Sequence, residues 1–474
     1  NNYESNIIIR DYGSQYPHVL AEVRRDWLRH FALRRYSFFA QDSLTKGRWS
    51  LNLGLRYDSE TSYIIEQNVP AAPFMSNFLP AISIDKIDPG VTWNTLSPRF
   101  TVSYDLFGNG RDIVKLSLSR YGSASLNSFA NFVNPSGTAF IRFLWKDANG
   151  DNLVTENELW GMDPSSGALM DRNDRQYWIS FTGFNPSDPT AYSNPNKFDP
   201  NYSSILKDEV MLSYEKQLMT DLAAKVDIFY NRRHNLEWTR GYFTDGSVVT
   251  KDDYVKAGNV SNPGENLNSD YYGLSEKFVG QYRGNSKQAE TYRAVQLILT
   301  KRLSNRWMMD ASATYSNWTF KYNNDYDNPT NVNYWEGGAV TPDNQNLNST
   351  WLFKLSGLYQ FPHDINLSGS FIARQGYVIH KFVQVFAPNI GTVSVYADQS
   401  GGNRLPSVYL LNLRLGKHFY VTDKAKVDVA LELYNVSNTN AALSQEAGIN
   451  RSNFMATLST INPTIIRFAV RFSF

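Results

Sequence analysis

From about Leu33 to the end of the chain, apolar and polar residues alternate with a period of two, which places them on opposite faces of a strand. In 49–57, Trp49, Leu51, Leu53, Leu55 and Tyr57 share one face while Ser50, Asn52, Gly54 and Arg56 share the other. Eight steps of strand cover roughly 27 Å, which a tilt of about 40° reduces to roughly 20 Å of height, close to the apolar band of a transmembrane β-barrel. The eight-residue spacing returns from Trp307 to Tyr315 and from Leu222 to Tyr230. The pattern predicts strand pairs at 35–43/48–58, 97–106/112–121, 209–218/222–232, 293–303/307–316, 350–361/365–375 and 408–419/425–435, with a last strand at 464–474. Each pair closes around a hairpin-length turn, the first near Leu44-Thr45-Lys46-Gly47.

Long polar segments separate the pairs, at roughly 59–95, 122–207, 234–291, 317–347, 377–406 and 437–462. Short turns alternating with long loops are what an outer-membrane barrel shows, with turns periplasmic and loops extracellular. A soluble propeller would be spaced more evenly, and structureless loops of this length argue against a compact soluble domain. The fold class expected is all-β: a transmembrane antiparallel β-barrel, partial, with about 13–14 strands and long extracellular loops. Residues 1–474 are read as a single barrel region, with 122–207 as its longest loop. The segment Ser5–Arg10 is a candidate remnant of a further strand. An odd strand count does not close a bacterial single-chain barrel, so upstream strands are expected. The opening Asn1-Asn2-Tyr3 has neither the charged nor the apolar region of a signal peptide, which places the true N-terminus further upstream.

Composition agrees with this picture. Among 474 residues there are 29 Tyr, 28 Phe and 11 Trp, an aromatic content suited to interfacial belts and also to a sugar-binding β-protein. The net charge of +1 gives no electrostatic reason for nucleic-acid binding. With no cysteine, disulfides and thiol chemistry are excluded. Mean hydropathy is negative, and no apolar run reaches the length of a membrane helix; a barrel whose strands are apolar on one face only is not excluded by either.

The stretch Tyr36-Ser37-Phe38-Phe39-Ala40-Gln41-Asp42-Ser43 followed by Leu51-Asn52-Leu53-Gly54-Leu55-Arg56-Tyr57-Asp58 resembles the signature hairpin of the TonB-dependent receptors, in particular the Oar-like group. Leu96-Ser97-Pro98-Arg99-Phe100, Glu432-Leu433-Tyr434-Asn435-Val436 and the terminal Arg467–Phe474 are similar to further phrases of that family. The resemblance implies a 22-stranded barrel in the outer membrane of a Gram-negative bacterium, filled by an N-terminal plug. It implies a TonB box that pairs with TonB by strand addition and transport across the outer membrane driven by the proton-motive force. Together with the very long outer loops, it leads to the expectation of a transporter that moves or binds a large substrate such as a peptide, protein or oligosaccharide. Plug, TonB box and about eight or nine strands are not in the sequence. A plugless porin or adhesin-like barrel is the alternative, and a soluble sugar-binding protein a third.

The sharpest local motif is the 147–158 loop, which matches a calcium loop through Asp147, Asn149, Asp151, Leu153, Thr155 and Glu158. Hard oxygen ligands at this spacing wrap the chain around one cation, and structural Ca²⁺ is the one cofactor expected. Asn152 stands where glycine makes the sharp turn, and asparagine tolerates the positive φ needed there. A chance match in a solvated acidic loop is the plainer alternative. Phe468, Val470, Phe472 and Phe474 resemble the terminal strand recognised by the barrel assembly machinery; an ordinary closing strand is the plainer reading. Tyr177, Trp178, Tyr271, Tyr272, Tyr334 and Trp335 are candidate ligand-facing loop aromatics, weighed against loop self-packing. Inward polar positions such as Arg56, Arg99, Lys115, Asp227, Arg414 and Glu432 suit a wet lumen or a plug contact. The six histidines form no metal-spaced pair, and no nucleophile or phosphate-loop motif occurs, so an enzyme is not expected. Membrane lipid, TonB and the assembly machinery are the partners expected.

Overall fold

A computed structural model describes residues 7–10, 19–25, 30–135, 139–321, 328–331, 349–397, 402–422 and 425–474. Thirteen strands form one antiparallel sheet in which neighbours in sequence are neighbours in space. They are β1 (Phe31–Lys46), β2 (Trp49–Ile64), β3 (Trp93–Asp105), β4 (Asp112–Gly122), β5 (Leu206–Met219), β6 (Leu222–His234) and β7 (Ala289–Ser304). The sheet continues through β8 (Trp307–Lys321), β9 (Trp351–Phe361), β10 (Ile365–Arg374), β11 (Val408–Tyr420), β12 (Lys426–Tyr434) and β13 (Ile465–Ser473). Every strand expected from the alternation is present, with ends that move by a few residues.

The register explains the meander. Leu44, Leu51, Val102, Leu116, Leu212, Ile228, Val295, Tyr315 and Trp351 lie opposite one another across nine consecutive strands. On the other face, Thr45, Ser50, Ser103, Lys115, Ser213, Asp227, Gln296 and Thr314 form the next row across eight. A slip of one residue in any strand would put a polar side chain into the apolar row, so the pattern itself holds the pairing. Pro98 marks a local exception: it pairs with Leu55 in β2, but the β3–β4 ladder starts only at Arg99 opposite Ser119. Proline has no N–H to give that second ladder.

The turns gather at one end. Gly47 adopts φ +58° in the Gly47–Arg48 tip between β1 and β2, one or two residues later than the sequence suggests. Asn305 and Arg306 both have positive φ (+49° and +71°), the two left-handed residues of a hairpin whose twist suits its strands. Between β3 and β4, the Asp105 carboxylate accepts hydrogen bonds from the amides of Gly108 (2.9 Å) and Gly110 (2.7 Å). The long connections all leave the opposite end.

Those connections correct the expectation of structureless loops. They carry short strands of their own at 67–69/82–84, 254–262/267–274, 382–387/391–396 and 442–445/457–460. Among the described residues, the hydrophobic cores centre on the connections and the strand ends beside them. The sheet has apolar side chains turned outward, with Phe38, Leu55, Leu297, Phe468 and Phe472 all exposed. Ile7–Arg10 is not a further strand of this sheet. It pairs with Val19–Arg24, which pairs in turn with Phe140–Trp145 from the β4–β5 connection. Residues 7–9 are a continuous apolar run with no polar face to offer the wall; Ile7 packs into the core of that other sheet while Ile9, on its edge strand, is exposed.

Candidate functional site in the outer connections

The largest structured unit beyond the wall combines 7–10 and 19–24 with strands 140–145, 159–162, 169–170 and 180–182 of the β4–β5 connection. We refer to it as the cap. Ala21, Val23, Ile141, Phe143 and Leu159 fill its core. Leu20, Glu22 and Arg24 alternate with Ala21 and Val23 along the strand, and Glu22 is fully buried. It is held by Arg24 and by Arg142, whose Nε and Nη2 reach Oε1 at 2.9 and 2.8 Å. Burial pushes the Glu22 carboxyl up, but the two guanidiniums more than offset this and hold it below the usual carboxylate range.

The 147–158 loop projects from this cap between strands 140–145 and 159–162. Asp147 accepts hydrogen bonds from the amides of Gly150 (2.8 Å) and Asn152 (3.0 Å). Asn149 Oδ1 accepts from the Asp151 amide, and Asp151 Oδ1 from the Leu153 amide at 2.7 Å. Gly150 and Asn152 have positive φ (+74° and +59°), so asparagine does take the turn conformation that glycine normally supplies. Glu158 is buried and reaches back across the loop to the amides of Ala148 (2.9 Å) and Thr155 (3.0 Å). The Ala148 amide, foremost, holds its carboxyl below the usual range. Among the described residues no three acidic or histidine side chains converge as a metal cluster. The loop thus turns back on itself, with the carboxylates of Asp147, Asp151 and Glu158 accepting from its own backbone amides.

The candidate ligand aromatics part company. Trp178 is buried in the cap core, with Phe78 edge-on at 4.9 Å and its Nε1 donating to the Arg172 carbonyl at 2.7 Å. Its ring is used for packing rather than offered to a ligand. Tyr177 is half-buried and lies directly against Gly161. Tyr271 and Tyr272 are half-buried in the 254–274 hairpin, Tyr271 against the core of Leu267 and Val395. Tyr334 and Trp335 lie outside the described residues. A second unit stands over β6–β8, where strands 197–198, 237–242 and 280–285 form a small sheet. Below it lies a cavity of about 800 Å³ lined by Arg233, Trp238, Arg240, Glu290 and Phe320 among others.

The other sequence candidates lie far from these units. Phe468, Val470 and Phe472 are exposed along one face of β13, and Phe474 follows it fully exposed. Among the described residues β13 pairs only with β12. On the polar face Arg56 holds Asp58 (2.7 Å), Lys225 holds Asp227 (2.9 Å) and Arg414 approaches Glu432 (3.4 Å). Two important residues escaped the sequence. Glu22 depends on an arginine 120 positions away. Asn435 closes β12 in left-handed conformation (φ +51°), its side chain bonded to the carbonyls of Thr439 and Asn462 and to the Thr439 amide. An asparagine directly after an alternating strand was the only signal for the second.

A family model described as "TonB dependent receptor-like, beta-barrel" matches residues 2–142. Solved structures similar to this chain include the outer-membrane transporter YddB from Escherichia coli, at 10% identity and TM-score 0.47, covering 96% of this chain and 55% of that one. The siderophore receptor PiuA from Acinetobacter baumannii matches at 11% and 0.46, covering 94% and 43%. A mutant of the ferric enterobactin receptor PfeA from Pseudomonas aeruginosa matches at 12% and 0.46, covering 96% and 58%. The chain spans about half the length of these structures. No curated protein sequence matches the chain.

Proposed function

We propose that the chain is part of the barrel of a TonB-dependent transporter in the outer membrane of a Gram-negative bacterium, with a large extracellular substrate. The observation that carries this reading is the family match over 2–142, which takes in β1–β4, continued by nine more strands with the same alternation and register. On this reading the apolar face meets lipid. The polar face lines a lumen shared with a plug, and the structured connections form the outer binding surface. The strand phrases at 36–43, 51–58 and 432–436 favour the Oar-like group. The size of the cap and its neighbours favours a peptide, protein or oligosaccharide over a compact chelate. The exposed alternation ending on Phe474 supports recognition by the assembly machinery, and the wrapped 147–158 backbone supports a structural calcium ion.

The test uses the full-length gene product. Reconstituted in a planar bilayer it should be nearly silent until the plug is loosened by urea, and in cells it should photo-crosslink to TonB. Immediate open-channel conductance without a TonB cross-link would favour the plugless porin instead.

A further inference from the structure

A second cavity, of about 590 Å³, lies where the β2–β3 connection, the segment after strand 19–24 and the β4–β5 connection meet. Its polar lining includes Arg25, Asn185, Tyr192 and Ser193, and Val69 and Ile82 line its apolar side. Among the described residues the lining contains one cation and no carboxylate.

Arg25 is the unusual member. It is 6% exposed, yet among the described residues no acid pairs with it. Its Nη2 donates to the Pro189 carbonyl at 2.7 Å, and its buried Nε has no partner. Burial pushes its pKa down. A guanidinium stays charged at any working pH and offers five donors. Leaving such a charge buried beside one neutral carbonyl is costly, and an anion brought to it recovers much of that cost. The Asn194 and Asn196 carboxamides already donate to the Phe132 carbonyl, at 3.0 and 2.9 Å, which fixes this wall.

We propose that this cavity binds the carboxylate group of a small polar ligand, with Arg25 as its charged anchor and the hydroxyls of Tyr192 and Ser193 as neighbouring donors. The chemistry is shared by the C-terminus of a short peptide and by an acidic sugar. It stands apart from the transport reading, because binding to purified protein needs no energy source and no TonB.

Calorimetric titration of the detergent-purified full-length protein tests it with two probe pairs: N-acetyl-Ala-Ala against its C-terminal amide, and glucuronate against glucose. At least one acid should bind, and tenfold to a hundredfold more tightly than its neutral partner, as the loss of a charge-assisted hydrogen bond implies. Which pair discriminates identifies the source. Arg25→Gln should abolish that preference while Arg25→Lys keeps part of it, with heat-modifiable migration as the check on folding. The comparison of acid with neutral probe on the unmodified protein needs no variant. Absence of binding by both acids, equal binding of acid and neutral probe, or an unchanged preference in a folded Arg25→Gln protein would each overturn the proposal.

Discussion

At the residue scale, the cap depends on a carboxylate that its surroundings have both buried and neutralised. Removing one partner from a buried ion pair leaves an uncompensated charge, and about 3–5 kcal/mol is the usual cost. Glu22→Gln should therefore lower the hydrogen-exchange protection of 19–24 and 140–145 while leaving β5–β13 unchanged; equal protection in both proteins would contradict the assigned role. The pH dependence follows from the same group. A carboxyl held below its ordinary value adds stability above the ordinary carboxylate range, and that stability is lost as pH falls through the depressed value. Protection of the cap should thus fall in acid before that of the wall, and Glu22→Gln should remove most of the difference. Asn435 is the second such residue. Asn435→Ala deletes three side-chain hydrogen bonds and places alanine at φ +51°, for a loss of about 2–4 kcal/mol. A clear drop in the urea midpoint of the purified barrel is expected. Neither residue could be weighted from sequence, because burial of Glu22 and the contacts of Asn435 arise only when distant segments meet.

At the element scale, the strands were legible because each carries one apolar and one polar face. Alternation in Trp49–Tyr57 or Leu222–Tyr230 follows directly from one face being apolar, so element and register could be read together. The connections alternate only over short stretches, such as Val383-Gln384-Val385 and Val393-Ser394-Val395. Val383, Val385 and Val395 pack against Leu267 and Tyr271, remote in sequence, and Ile7–Arg10 found its partner in the cap rather than the wall. The row of Leu212, Ile228 and Val295 gives a direct test. Ile228→Arg should destabilise the reconstituted protein by about 2–4 kcal/mol if the row faces the lipid midplane. Little effect would place that face in water. The 147–158 loop is tested as an element too. Millimolar calcium should raise its exchange protection, and Asp147→Asn with Asp151→Asn should abolish the response; unchanged protection with calcium would remove the ion.

At the scale of the whole molecule, a thirteen-stranded wall with every long connection at one end divides the protein, on the proposed reading, into a surface for lipid, a polar inner face and a folded outer layer. The outer layer holds the features open to a ligand: the cap, its loop and the two cavities. Their cores explain how the described residues of a connection as long as 123–205 are held beside the sheet. A membrane wall requires its two faces to meet different solvents. Residues 1–474 contain no cysteine, so a cysteine placed in the wall has no competing thiol within them. The decisive measurement is spin-label accessibility in the full-length protein reconstituted in lipid, with labels at Leu116, Leu212, Ile228 and Val295 and at Lys115, Ser213, Asp227 and Gln296. The first set should collide with lipid-dissolved oxygen and be shielded from a water-soluble nickel chelate, and the second set should lack that lipid exposure. Equal access of the chelate to both rows would contradict a membrane wall.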